Sequence, residues 1–179
     1  MADECTLVYD AVTERRSVRR FKDTPVEDEK IAACLEAARV APSWANGQPW
    51  HFIVVNGRLN VDALGVLPGD MKDIPMCILA CGDPGESGYI DGKQYYLVDV
   101  AIATEHLILE ALEQGLGTIW IASFKEDAVK KLLGIPDRIK VVAAIPIGYE
   151  AERTTKQTKR TQRNIDRKPV NAFVHYDRW

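Results

Sequence analysis

The 179-residue chain lacks the short signatures that decide a protein's chemistry at sight. Its four cysteines, Cys5, Cys34, Cys77 and Cys81, form no CxxC pair, and its three histidines, His51, His106 and His175, form no HExxH or Cys/His pattern. The spacing predicts no metal and no cluster. It reads Cys34, Cys77 and Cys81 as buried free thiols and Cys5 as exposed and open to oxidation. A GxGxxG fingerprint is absent, and so is any Ser-His-Asp or paired-carboxylate constellation. With 23 Lys and Arg against 26 Asp and Glu, the net charge of -3 offers no broad basic surface for nucleic acid. The most apolar stretch, Leu97 to Leu112, is broken by Asp99, Glu105, His106 and Glu110, so no membrane span is expected. The acidic opening Met1-Ala2-Asp3-Glu4 is unlike the basic start of a signal peptide, and a cytoplasmic location is expected.

What is present is ordinary for one globular domain, with 46% apolar residues and no internal repeat or linker. Helical spacing predicts helices from about Thr6 to Arg16 and from Glu27 to Val40, the second bracketed by Pro25 and Pro42. Trp50 to Val55 and Met76 to Cys81 read as buried strands, and Val61 to Leu67 as a short helix between them. Gly82-Asp83-Pro84-Gly85 forces a loop. The longest helix is predicted from Gln94 to Gln114, about 30 Å at 1.5 Å per residue, capped by Gly115. Leu97, Val100, Ala101, Ile108 and Ala111 make one apolar stripe on it, and Val98, Ile102, Leu109 and Leu112 a second, so one face suits a sheet and the other a partner. Strands from Gly117 to Ala122 and Val141 to Ile147, around a helix from Glu126 to Leu133, complete an α+β domain with a central sheet of about four strands.

Two motifs carry the chemistry. Ala41-Pro42-Ser43-Trp44-Ala45-Asn46-Gly47-Gln48-Pro49-Trp50 gathers turn formers, donors and acceptors around two indoles. That set suits a planar ligand with polar edges, and it equally suits a loop whose tryptophans anchor it to the core. Upstream, Arg15-Arg16-Ser17-Val18-Arg19-Arg20-Phe21 packs four arginines and a hydroxyl at the end of the first helix. Guanidinium forks and a hydroxyl suit a phosphate; the alternative is a solvated, positively charged helix end favoured by the helix dipole.

ERRSVRRF, then a helix, then APSWANGQPWHFIVV, resemble the opening of the FMN-dependent nitroreductase family. The resemblance continues through GLGTIWIASF and LLGIPDRIKVVAAIPIGY to RKPVNAFVHYDRW, so it covers nearly the whole chain. It implies a nitroreductase-like fold: a central, mainly antiparallel sheet flanked by helices, with a C-terminal arm exchanged in a homodimer. Residues 1–150 would then form the FMN-binding domain. Residues 151–179, polar from Glu150 to Lys168 and aromatic after it, would be an arm docking on the partner subunit.

Carried over residue by residue, the resemblance implies that Arg15, Ser17 and Arg19 hold the FMN phosphate, ribityl chain and ring edge. Arg16 shares the motif at a position where family members vary, and Arg167 matches a phosphate contact in the tail. Pro42, Ser43 and Asn46, with Gln48 beside them, match positions that approach the ring from the opposite subunit, and Ala122 and Ser123 line its other side. Trp44 departs from the small residue common at its position. The segment Asn60 to Pro75 is short, as in compact members, and offers no match for the extra polar ring contact of larger members, a role not assigned to Lys72. The implied activity is hydride transfer from NADH or NADPH to flavin N5, then electron transfer to a small-molecule acceptor such as a nitroaromatic or quinone, with ping-pong kinetics. The alternative is an FMN-binding protein without turnover, a flavin carrier or redox sensor.

Overall fold

The computed structural model describes residues 6–69, 71, 73–151 and 167–179. Cys5, Lys72 and the polar segment 152–166 lie outside the described residues. A four-stranded antiparallel sheet forms the centre. Its strands are β1 (Trp50–Asn56), β2 (Met76–Gly82), β5 (Gly117–Thr118) and β6 (Lys140–Gly148), in the order β1-β2-β6-β5.

Strand β2 is buried along its full length, as a continuous apolar run predicts for a strand covered on both faces. Because side chains alternate across a strand, Met76, Ile78 and Ala80 enter one core and Cys77, Leu79 and Cys81 another. The first core lies under helices α2 (Asp28–Arg39) and α4 (Tyr95–Glu113) and includes Cys34, Val100 and Leu107. The second lies under α3 (Arg58–Ala63) and α5 (Glu126–Leu133) and includes Val61 and Val129. Helices therefore cover both sheet faces.

Helix α2 carries Asp28 and Glu29 in its first turn and Arg39 in its last, matching the helix dipole, and turns Ile31, Cys34 and Ala38 inward. Helix α4 ends at Gly115, whose φ of 75° is the left-handed conformation that glycine adopts without steric cost; Leu116 N–H then returns to the Ala111 carbonyl. At its start, α4 approaches the sheet so closely that a Cβ on Gly82 would lie 2.8 Å from Tyr96 and Val100.

Several sequence expectations are corrected. Helix α1 (Thr6–Glu14) stops two residues before Arg16, because Ser17 and Val18 leave it to pair with Thr118. The short helix α3 begins at Arg58, before Val61, its chain entering through Gly57 at a φ of 84°. Regular pairing of β5 ends at Thr118, with a single further bridge from Ile121 to Ala144. The stripe predicted on α4 is rotated: its buried face is Tyr96, Asp99, Val100, Ala103, Thr104, Leu107, Ile108 and Ala111, while Leu97 and Val98 are exposed. A two-stranded hairpin, β3 (Tyr89–Ile90) and β4 (Lys93–Gln94), precedes α4 and was not expected. It turns at Asp91 and Gly92, whose positive φ values of 52° and 75° fit the Asp-Gly signature of tight hairpins.

Candidate functional site

The arginine segment is sheet edge rather than helix end. Ser17 forms a parallel bridge with Thr118, Val18 N–H donates to the Thr118 carbonyl at 2.8 Å, and Lys22 N–H to the Tyr149 carbonyl. Phe21 bridges Glu150, and Ala151 N–H donates back to Arg20. Contact with β5 is close: a Cβ on Gly117 would lie 2.6 Å from Val18. Val18 and Phe21 are buried, Ser17 and Arg19 half-buried and Arg20 exposed, so two apolar side chains anchor the segment and its polar ones lie outward. Beyond Arg15, whose N–H still closes the last helical turn on the Ala11 carbonyl, the segment leaves the helix end for the sheet edge.

The arginines differ in their partners. Arg16 is bound to Glu150 with both side chains mostly covered, so its charge is already answered within the chain. Arg15 pairs with Glu105 of α4 at 3.2 Å, with about a third of its side chain exposed. An exposed pair of this kind contributes about 0–1 kcal/mol, whereas a charge-assisted contact to a phosphate contributes about 1.5–3 kcal/mol, so an arriving phosphate displaces Glu105. A phosphate therefore fits Arg15 better than Arg16. Ala122 and Ser123 are exposed just beyond the Ile121 bridge, in the loop that follows β5.

The tryptophan loop is built differently. Trp44–Asn46 form a single 3-10 turn, and Ala45, Asn46 and Gln48 take φ values of 48°, 58° and 50°, which side-chain-bearing residues adopt only where the surroundings impose it. Those surroundings are specific. Gln48 N–H donates to Ser43 Oγ at 3.0 Å, the Gln48 side chain to the Asn46 carbonyl, and Trp44 N–H to Asp99 Oδ1 at 2.9 Å. Asp99, 2% exposed, also accepts from Ser87 Oγ at 2.6 Å through its second oxygen. Gly47 abuts the Glu86 carbonyl, where a Cβ would lie 2.1 Å away. Asp83 braces the same 83–88 loop, accepting from Gly85 N–H and from Arg138, and these hold its carboxyl below the usual range. Pro42, Asn46 and Gln48 are exposed and Ser43 half-buried.

Sequence reasoning missed Asp99, Ser87 and Glu105. Asp99 reads along the sequence as an interruption of an apolar helix; its position in the buried stripe was the available signal. Around α4, Asp99 and Glu105 are six residues apart, about 9 Å along the axis and about 120° around it, so the two motifs meet different faces of one helix. Arg167 is exposed in the described tail, which ends in exposed Phe173, Tyr176 and Trp179, with His175 stacked on Trp179 at 4.5 Å. Cys34, Cys77 and Cys81 are buried free thiols, each pushed up to about 12 by burial. Among the described residues no helix is long and apolar enough to cross a membrane.

A helix-covered antiparallel sheet, with an arginine segment on its edge and a strained polar-aromatic loop against its longest helix, defines the α+β class of the protein. The chain belongs to the nitroreductase family, whose model matches residues 12–76 and 67–149. A provisionally named NADH dehydrogenase/NAD(P)H nitroreductase of Archaeoglobus fulgidus is 33% identical over 92% of this chain and 94% of its own. The relative named FMN reductase [NAD(P)H] from Bacillus subtilis is 26% identical over 89% of this chain and 72% of its own. The crystal structure of a nitroreductase family protein from Clostridium difficile 630 superposes with a TM-score of 0.80 at 30% identity, covering 95% of this chain and 98% of that one.

Proposed function

We propose that this protein is an FMN-dependent NAD(P)H oxidoreductase of nitroreductase type, working as a homodimer on small planar acceptors such as nitroaromatics and quinones. The observation that carries the reading is the edge segment Arg15–Arg19, bridged to Thr118 through Ser17, which puts a hydroxyl and an exchangeable guanidinium charge together on the sheet edge. When bound, FMN supplies the redox chemistry, taking hydride from NADH or NADPH and passing electrons to the acceptor in a separate, ping-pong half-reaction.

The chain's own residues do the holding and tuning. Arg15 and Arg167 take the phosphate and Ser17 donates to the ribityl-phosphate end. Arg19, half-buried, is the fixed cation that favours negative charge on the ring, so its loss weakens reduction more than binding. Arg16 keeps its scaffold pairing with Glu150. Pro42, Ser43, Asn46 and Gln48 of one subunit face the ring held by the other, in keeping with two half-sites on different faces of α4. Exposed Val8, Tyr9 and Val12 on one face of α1, with Leu97 and Val98 on α4, provide apolar surface for the dimer. The exposed aromatic tail after residue 167 supplies the exchanged arm, an extension of the domain formed by residues 1–150.

The test is the visible spectrum of the purified protein, recorded anaerobically before and after NADPH or NADH. A flavin spectrum bleached by either nucleotide and restored by a nitroaromatic or quinone is the expected result. Flavin that neither nucleotide bleaches rejects the reductase in favour of a carrier or sensor, and protein unable to take up FMN rejects both. Deleting Ala172–Trp179 is expected to reduce dimer content and flavin retention; unchanged sizing would reject the exchanged arm.

A further inference from the structure

We propose that Trp44 determines acceptor specificity: its indole, seated on Gly88 and fixed through Asp99, is the wall against which the planar ring of the acceptor stacks. This rests on the reductase reading and goes beyond it by assigning the acceptor's contact. The indole's position is defined from below. A Cβ on Gly88 would lie 2.5 to 2.9 Å from Trp44 Cε2, Cδ2 and Nε1, so the ring lies directly on the glycine backbone. Despite that seat the residue is not buried, with 41% of its surface exposed.

The backbone that carries the ring is fixed as well. Asp99 grips Trp44 N–H with one oxygen and Ser87 Oγ with the other, tying ring and glycine platform to the same buried carboxylate. Strained φ values at Ala45, Asn46 and Gln48 persist because these contacts over-determine the loop. An electron-rich indole on a fixed, exposed residue favours offset stacking on a flat, electron-poor ring, the chemistry shared by nitroaromatics and quinones. An acceptor without a ring gains nothing from it.

The experiment measures binding of 3,5-dinitrobenzoate to the oxidised, FMN-loaded protein by calorimetry, without nicotinamide and therefore without turnover. Trp44→Ala is expected to weaken binding about tenfold, with Trp44→Phe within about threefold of wild type. Gly88→Ala, which pushes the indole off its seat, follows Trp44→Ala. FMN retention and dimer content stay unchanged in Trp44→Ala. Equal dinitrobenzoate affinity in wild type and Trp44→Ala overturns the proposal, as does a wild type that does not bind the probe. Loss of dimer or flavin in Trp44→Ala also overturns it, assigning the ring to the partner or the cofactor instead. Failure of NADH and NADPH to bleach the wild-type flavin rejects the reductase reading alone, since the binding series is read without it.

Discussion

The arginine segment at residues 15–20 and the tryptophan loop at residues 42–48 occupy comparable lengths of chain and are fixed in opposite ways. The first is placed by backbone pairing to Thr118, Tyr149 and Glu150, so its register survives the loss of any one outward side chain. The second lacks a ladder. Its left-handed residues are held by a carboxylate on another helix, a serine hydroxyl and a glycine pressed on a carbonyl. A half-site built on a strand separates binding from folding, whereas one built on a strained loop joins them. Variants in the two regions should therefore fail in different assays.

The largest expected effect is at Asp99. Asp99→Ala removes the acceptor of both Trp44 N–H and Ser87 Oγ and leaves a void in the α4 stripe. The expected cost is about 2–4 kcal/mol, given the penalty for stranded buried donors and the lost packing. Urea unfolding of the apoprotein measures it. Stability within about 0.5 kcal/mol of wild type would mean that the loop holds itself and would break the contrast.

The edge segment should behave in the reverse manner. Arg15→Ala is expected to raise the FMN dissociation constant by about 1.5–3 kcal/mol of lost phosphate contact, while apoprotein stability moves by less than about 1 kcal/mol, because only an exposed pair with Glu105 is lost. Arg16→Ala gives the other pattern, losing stability with the covered ion pair to Glu150 and changing FMN affinity little. Fluorescence titration of FMN against both apoproteins distinguishes them. Equal FMN affinity for wild type and Arg15→Ala would sink the phosphate assignment.

The same division explains how much of the fold and of the site is legible in the amino-acid sequence. Helix α5 is legible to the residue and α2 to within one, because both combine periodic apolar positions with clear ends, Gly134 closing α5 in a left-handed conformation. Strand β2 is legible because a run buried on both faces is continuously apolar. Both site motifs stand out by composition, and the sheet-edge character of Ser17 does not, since its bridge to Thr118 joins residues far apart in sequence. Partners of the arginines are hidden for the same reason. Asp99 is easily misread because a charge inside an apolar helix looks like an interruption until its two donors are seen. The hairpin Tyr89–Gln94 escapes notice although Asp91-Gly92 announces it, its flanking strands being only two residues each.

The smallest effect concerns the platform beneath the loop, and it sharpens the comparison through pH. Asp83 is held below the usual carboxylate range first by Gly85 N–H, then by Arg138, with His51 nearby adding in the same direction. A carboxyl depressed in the folded state contributes stability that is fully present above its unfolded value near 3.8 and is lost as pH falls through the lower folded value. Asp83→Asn should therefore cost about 1 kcal/mol at neutral pH, the net scale of one ordinary protein hydrogen bond. That difference should shrink toward zero as the medium is acidified below about pH 4. Thermal melts of both proteins from neutral pH downward test this. A gap that stays constant would mean that Asp83 acts through shape alone. A closing gap, matched by an Arg15→Ala variant with no such pH dependence of its own, would show that the loop half-site stands on titrating contacts and the edge half-site on backbone.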